Sequence, residues 1–122
     1  NYVKGKDYTL VGSRSGANAI AIWMIMRTYG SDGWKAKIQR LLAKTTRLCS
    51  DLDERGVEHF RNPDMNIVTI RGEFVSQALA DKYMLVPDAH GEDVKWWKIV
   101  VMEHVKQGVV DNFLRDLDLE RG

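Results

Sequence analysis

The chain has 122 residues, of which 44% are hydrophobic and 29% are charged, and its formal net charge is +1. This composition is typical of one soluble globular domain, and the near-neutral charge excludes the strong basic bias of many nucleic-acid and anionic-membrane binders. The longest apolar run, residues 17–26, is too short to cross a bilayer. Cys49 is the only cysteine, so no internal disulfide can form and a cytoplasmic location is expected. The chain starts with Asn1 rather than Met, which predicts a processed chain or a fragment of a longer protein.

The first motif along the chain is the turn Gly12-Ser13-Arg14-Ser15-Gly16, which leads directly into an apolar stretch. Backbone N–H groups, a hydroxyl and a guanidinium meet at the start of a predicted helix, and this set of donors suits an anion such as phosphate. An ordinary alternative stays open, because Ser15 is also a common residue at the N-cap of a helix.

Two helices are predicted after this turn. The first, residues 17–29, is apolar on almost every side, so we expect it to pack against something outside the chain, either missing sequence or another subunit. Gly30 favours a C-terminal stop. The second helix is predicted over residues 33–55, with Gly56 after it. Its apolar residues recur at helical spacing and form one stripe. They are Trp34, Ile38, Leu41, Leu42, Leu48, Cys49 and Leu52.

The remaining sequence alternates between strand and helix patterns. Strands are predicted over residues 57–60, 66–71, 84–87 and 95–102, and helices over residues 72–83 and 106–119. The residues predicted to point inward from these two helices are Phe74, Val75, Ala78, Leu79, Val109, Val110, Phe113, Leu114 and Leu117. In a regular strand Trp96 and Trp97 point to opposite faces, with one of them in the core. The predicted fold is α+β, with two leading helices followed by an antiparallel-rich sheet that has helices on one face.

Several of these motifs together resemble a known family. They are the Gly12–Gly16 turn followed by a helix with Trp23, the glycines Gly30 and Gly33, the sequence Asn66-Ile67-Val68, the strand Lys98-Ile99-Val100-Val101-Met102 with His104, and the ending Val110-Asp111-Asn112-Phe113-Leu114. They are similar to the C-terminal part of group II pyridoxal-phosphate-dependent amino-acid decarboxylases, in particular the archaeal tyrosine/aspartate, bacterial histidine and plant serine decarboxylases. The resemblance covers residues 8–118.

The resemblance implies the α/β fold of aspartate aminotransferase (type I pyridoxal-phosphate enzymes) and a homodimer. It implies that residues 1–30 connect to an N-terminal part of the same enzyme through an interdomain helix, and that residues 31–122 form the small C-terminal α+β domain. The lysine that binds the cofactor and the aspartate that pairs with its ring nitrogen would lie upstream. By this reasoning the segment contains no catalytic residue and is inactive alone.

The resemblance also assigns the turn to the cofactor. Gly12 and Ser13 would donate hydrogen bonds to the phosphate of pyridoxal 5'-phosphate bound by the neighbouring subunit. Arg14 would either add charge there or hold the turn through an ion pair.

Two further residues are predicted to bind the substrate. Relatives commonly carry arginine at the position of Lys98, where a guanidinium can hold the α-carboxylate of the amino acid. Lysine supplies the charge without the bidentate fork, and a solvated lysine on an alternating strand remains the alternative. His104 follows Glu103, where relatives tend to have proline, and it either contacts substrate or is a solvated or helix-capping residue.

No metal site is predicted, because His59, His90 and the other histidine have no partners at ligand spacing. From the resemblance, the leading prediction is that this chain is part of a pyridoxal-phosphate-dependent amino-acid carboxy-lyase. An independent small binding or regulatory domain, and part of an aminotransferase of the same fold, are the alternatives. The sequence does not identify which amino acid is the substrate.

Overall fold

The computed structural model describes residues 15–89 and 94–122. The chain divides into two compact units, one ending at Ala36 and the other extending over Lys37–Gly122. The order of elements in the described residues is α1, β1, β2, a short 3-10 helix, α2, β3, β4 and α3.

The helix α1 extends over Gly16–Glu54 and contains both predicted leading helices. Gly30 separates them, because its φ of 61° and ψ of −175° are not helical and this positive φ favours glycine. Ser15 caps the start of α1, since the Ala17 amide donates to its Oγ at 3.3 Å. The ordinary interpretation of Ser15 is therefore confirmed.

The apolar side chains in the first part of α1 are largely exposed in this chain, with 62% exposure for Trp23 and 59% for Met26. In the second part, Leu48 and Leu52 are buried as predicted, and Thr45 is also fully buried. Thr45 satisfies its hydroxyl by donating to the carbonyl of Leu41 at 2.7 Å. The predicted stripe is wrong at its beginning, where Trp34 and Ile38 are exposed.

The sheet has four strands and is entirely antiparallel, in the order β1-β2-β4-β3. The strands are β1 (His59–Phe60), β2 (Ile67–Arg71), β3 (Val86–Pro87) and β4 (Trp96–Val100). Each lies within a predicted strand segment. The predicted antiparallel-rich sheet is therefore confirmed.

The pairing register defines two faces of the sheet. Ile70 pairs with Trp97 and Val68 with Ile99, and these residues form the inner face, which packs against the helices. Trp97 is buried whereas Trp96 is half-buried on the other side, so the predicted division of the two tryptophans is confirmed. The residues that alternate with the inner face form the outer face. On the two central strands they are Ile67, Thr69, Arg71, Trp96, Lys98 and Val100.

The predicted helix over residues 72–83 is wrong as one element. A 3-10 helix at Gly72–Phe74 is followed by the extended residue Val75, and α2 occupies only Gln77–Lys82. Ser76 caps α2 by accepting a hydrogen bond from the Leu79 amide at 3.1 Å. The buried side of α2 therefore differs from the predicted one. Ala80 is buried, whereas Ala78, which was predicted to point inward, is exposed.

The closing helix α3 (Gln107–Arg121) matches the predicted one closely. Phe113, Leu114 and Leu117 are buried in the core, while Val109 is 47% exposed, contrary to its predicted inward position. The core therefore lies between the inner face of the sheet and the helices.

Candidate functional site

A cavity of about 340 Å³ lies in the second unit, within the volume range of small-molecule sites. Ten of its lining residues are apolar, and the three polar ones are Tyr83, Lys98 and His104. The structure thus brings together the two predicted substrate-binding residues, from a strand and from the loop that follows it. An apolar enclosure with a few polar groups is typical of a pocket that orients a small ligand.

Lys98 occupies the centre of the outer face. It pairs with Thr69 on β2 and with Val86 on β3, so strands lie on both sides of it. Its side chain is half-buried, and in the described part of the chain no carboxylate lies within ion-pairing distance of its amine. A half-buried cation without an anionic partner is a plausible binding group for a substrate anion.

His104 lies on the β4–α3 loop (residues 101–106), which is attached to Asn66 at the start of β2. The Val101 amide donates to the Asn66 carbonyl at 2.8 Å, and the Asn66 side chain donates to the Val101 carbonyl at 2.8 Å. These reciprocal hydrogen bonds extend the ladder between β2 and β4 by one residue pair and fix the direction in which the loop leaves the sheet.

Two lysines on α1 hold the same loop from the helix side. Lys37 pairs with the carboxylate of Glu103 at 2.7 Å. Lys44 donates to the carbonyls of Glu103 and Val105 at 3.3 and 3.2 Å. The hydrogen bond from Lys37 is the main reason that the pKa of Glu103 lies below its usual range. The exposed residue His104 is therefore carried by a loop whose backbone is fixed on both flanks.

Sequence reasoning missed these anchoring residues. Lys37 and Glu103 are 66 positions apart, and no local periodicity connects them. One signal was present: Glu103 stands where the resembling sequences tend to have proline. In this chain Glu103 is held through its ion pair with Lys37.

Tyr83 provides the third polar group of the cavity. Its hydroxyl donates to Asp116 at 2.6 Å, and Lys82 donates to the same carboxylate oxygen at 2.7 Å. Burial, followed by the hydrogen bond to Asp116, raises the pKa of Tyr83, whereas the hydrogen bonds from Lys82 and Tyr83 lower the pKa of Asp116. The Tyr83 ring also packs edge-on against Phe113, with centroids 5.3 Å apart. Tyr83 is thus an uncharged side chain in the wall of the cavity, and its contacts with Asp116 and Phe113 hold it in place.

The predicted phosphate-binding residues Gly12, Ser13 and Arg14 lie outside the described residues. The structure does show that α1 begins at Gly16, two positions after Arg14, and that its first turn contains no acidic residue. The positive end of the helix dipole is therefore not neutralised from within the first turn.

The described residues contain neither a metal-binding cluster nor a membrane-spanning helix. Over residues 15–89 and 94–122, no three His, Cys, Asp or Glu side chains come together as a metal site. Over the same ranges, no helix combines the length and the apolar character needed to span a bilayer. Cys49 is half-buried against the core, and burial raises the pKa of its thiol.

Comparison with known proteins relates the whole chain to one class of enzymes. No protein-family model matches the sequence. It is 44% identical over 116 residues to tryptophan decarboxylase from Clostridium sporogenes, a match that covers 95% of this chain and 28% of the relative. It is 33% identical over 114 residues to L-aspartate decarboxylase from Thermococcus kodakarensis, covering 89% of this chain and 28% of that protein.

The fold agrees with these matches. The crystal structure of L-methionine decarboxylase from Streptomyces sp. 590 superposes with a TM-score of 0.66 and 23% identity, over 96% of this chain and 25% of that one. The chain is similar to part of several group II amino-acid decarboxylases. The resemblance noted in the sequence is thereby confirmed. The chain spans between a quarter and a third of the length of the curated relatives it matches.

Proposed function

We propose that this chain is part of a pyridoxal-phosphate-dependent amino-acid decarboxylase and that it contributes to cofactor and substrate binding in the complete enzyme. The observation that carries this proposal is the 44% identity, over 95% of the chain, to a decarboxylase of tryptophan. The decarboxylases of aspartate and methionine among the similar proteins extend the expected substrates to α-amino acids as a class.

The residues before α1 have the chemistry needed for the cofactor's phosphate. Gly12 and Ser13 bring backbone amides and a hydroxyl, and Arg14 brings a permanent positive charge. They precede Ser15, which caps a helix whose first turn has no acidic side chain, and such a helix terminus favours an anion. When bound, pyridoxal phosphate supplies an electron sink for the electron pair that the departing carboxylate leaves behind.

Lys98 and His104 are proposed to act on the substrate. The half-buried Lys98 amine, which has no described carboxylate partner, would hold the α-carboxylate by charge. His104 would donate to or accept from the substrate at the rim of the same cavity.

The first part of α1 favours a role within a larger assembly. Ile20, Trp23, Met24 and Met26 are 57–62% exposed, and an isolated domain rarely leaves so many large apolar side chains in contact with water. We propose that this segment packs in a homodimer that also contains the N-terminal part of the enzyme. This observation weighs against the independent binding domain. The cytoplasmic location stays a prediction.

The test is to express the full-length protein that contains this chain and to record its absorption with pyridoxal phosphate. A visible imine band and release of CO₂ from tryptophan, tyrosine, aspartate or methionine are expected. Transfer of the amino group to a keto-acid acceptor, which converts the amino acid into its own keto acid without release of CO₂, would favour the aminotransferase instead. A protein with neither imine absorption nor turnover would contradict the proposal.

A further inference from the structure

The outer face of the sheet contains a second cation besides Lys98. Arg71 is the last residue of β2, and it pairs across the ladder with Trp96. Its guanidinium carbon lies 5.0 Å from the centroid of the Trp96 ring. A guanidinium that stacks on an aromatic ring keeps its N–H groups in its own plane, where they can donate.

The half-buried arginines of the described chain differ sharply in what they bind. Arg55 donates to both carboxylate oxygens of Asp118 and to the Asp51 carbonyl. Arg61 donates to four oxygens that connect the turn after β1 to α1. Arg71 is equally half-buried, yet in the described ranges its guanidinium makes no hydrogen bond or ion pair. The Arg71 nitrogens are not buried, because no buried side-chain nitrogen or oxygen of the described residues lacks a hydrogen-bond partner. These donors are therefore open to an acceptor that comes from outside the described residues.

The position of Arg71 relative to Lys98 suggests what that acceptor is. Lys98 is two residues along β4 from Trp96, so Arg71 and Lys98 are diagonal neighbours on one face, at a separation of about 7–8 Å between backbones. Two long cationic side chains at this spacing can reach a single small anion between them. Without an anion they repel each other, and with one both charges are offset.

We infer that Arg71, held by Trp96, is a second binding residue for the substrate's α-carboxylate and supplies the paired in-plane donors that Lys98 lacks. This inference rests on the proposed function, because it names the substrate group that the outer face would bind. It explains how a lysine can stand at position 98, where the resembling enzymes commonly have arginine.

The experiment uses the full-length protein and compares two ligands of one site. The first ligand is the amino acid that gives the highest turnover, which has the α-carboxylate. The second ligand is the amine formed from it by decarboxylation, which lacks the α-carboxylate. Arg71→Gln is expected to raise KM for the amino acid about tenfold or more, as for the loss of a charge-assisted hydrogen bond. The inhibition constant of the amine is expected to change less than about twofold. Arg71→Lys keeps the charge but not the fork and is expected to lie between Arg71→Gln and the unsubstituted protein.

The matched control is Lys95→Gln. Lys95 is exposed and immediately precedes β4, and within residues 15–89 and 94–122 its side chain makes no hydrogen bond, ion pair or ring contact. Removing its charge is expected to leave both constants unchanged. This control separates a local contact from a general change in the electrostatic field near the site.

The outcomes separate the two proposals. Equal changes in KM and in the inhibition constant of the amine would overturn the inference, because they indicate a merely structural role for Arg71. If the protein is active but Arg71→Gln leaves KM and the inhibition constant of the amine unchanged, as Lys95→Gln does, the inference about Arg71 is overturned. The proposed function is not affected by that result. Absence of both imine absorption and turnover in the unsubstituted protein would overturn both. If Arg71→Gln does not fold, as judged by circular dichroism, the same pair of constants for Arg71→Lys decides.

Discussion

The inner face of the sheet and the β4–α3 loop are held by different kinds of interaction. The inner face is packed against helices, and Val68 and Ile70 on it are fully buried. The loop is held by hydrogen bonds and an ion pair, from Asn66, Lys37 and Lys44, near the surface. Apolar packing is insensitive to pH and salt, whereas exposed ion pairs depend on both. We therefore expect that the fold tolerates conditions and substitutions that displace His104.

The largest effect is expected from a substitution on the inner face. Ile70→Ala removes a fully buried side chain from the centre of β2, and it is expected to lower the free energy of unfolding by about 2–5 kcal/mol. Denaturant titration of the 122-residue chain, followed by circular dichroism, measures this loss.

The matched control lies on the same strand and has the same side chain. Ile67 pairs with Val100 on the outer face and is only half-buried, so Ile67→Ala is expected to cost about 1 kcal/mol. A loss for Ile67→Ala as large as that for Ile70→Ala would contradict the assignment of the two faces.

The next effect concerns the backbone contact that fixes the start of β4. The Gly72 amide donates to the Lys95 carbonyl at 2.8 Å, and a Cβ on Gly72 would clash with the Val94 carbonyl oxygen. Gly72→Ala must therefore push two backbones apart, at an expected cost of about 1–3 kcal/mol.

Gly108 provides a control of opposite sign. It lies in the first turn of α3, and nothing would come within 4 Å of an added Cβ. Gly108→Ala is expected to stabilise the chain by up to about 1 kcal/mol, since alanine favours the helix. If both alanines destabilise alike, close approach at Gly72 is not the reason for its glycine.

The sequence predicted the packed region much better than the polar one. The alternation of Val68 and Ile70, and the helical spacing of Phe113, Leu114 and Leu117, were enough to define the inner face because burial follows local periodicity. The prediction failed over residues 72–83, where the capping hydrogen bond of Ser76 overrides a continuous apolar pattern.

The site was predictable only in part. Lys98 and His104 came from a family resemblance, and nothing local in the sequence indicated that they share a cavity with Tyr83. Contacts such as Lys37 with Glu103 connect positions far apart in the chain. They depend on how strands and helices pack, which periodicity alone does not specify.

A smaller effect is expected at Tyr83, where packing and polar contacts meet. Tyr83→Phe removes the hydrogen bond to Asp116 but keeps the ring against Phe113, so it is expected to cost about 1 kcal/mol. Because the pKa of Tyr83 is raised in the folded chain, its contribution is complete below about pH 10 and is lost as the pH rises through the raised value. The variant should lack this alkaline loss.

Unfolding titrations between neutral and alkaline pH measure both parts of that prediction. Tyr83→Leu is the control, because it removes the ring as well as the hydroxyl and should cost more than Tyr83→Phe. Equal losses for the two substitutions would indicate that the ring contact with Phe113 contributes nothing, and that only the polar contact holds this wall of the cavity.

The smallest effect on stability is expected at Glu103, and it is the one that depends most on pH. Its pKa is lowered in the folded chain by the hydrogen bond from Lys37. The stabilisation is therefore present above the ordinary carboxyl value of about 4.3 and is lost as the pH falls through the lowered value. Glu103→Gln should reduce the thermal midpoint slightly at neutral pH, and the difference should vanish under acid conditions.

The paired exchange Lys37→Glu with Glu103→Lys should restore the neutral-pH midpoint, while Lys37→Glu alone should lower it further through like charges. A Glu103→Gln difference that stays constant down to acid pH would mean that the ion pair does not hold this loop, and that the hydrogen bonds from Lys44 and Asn66 are sufficient.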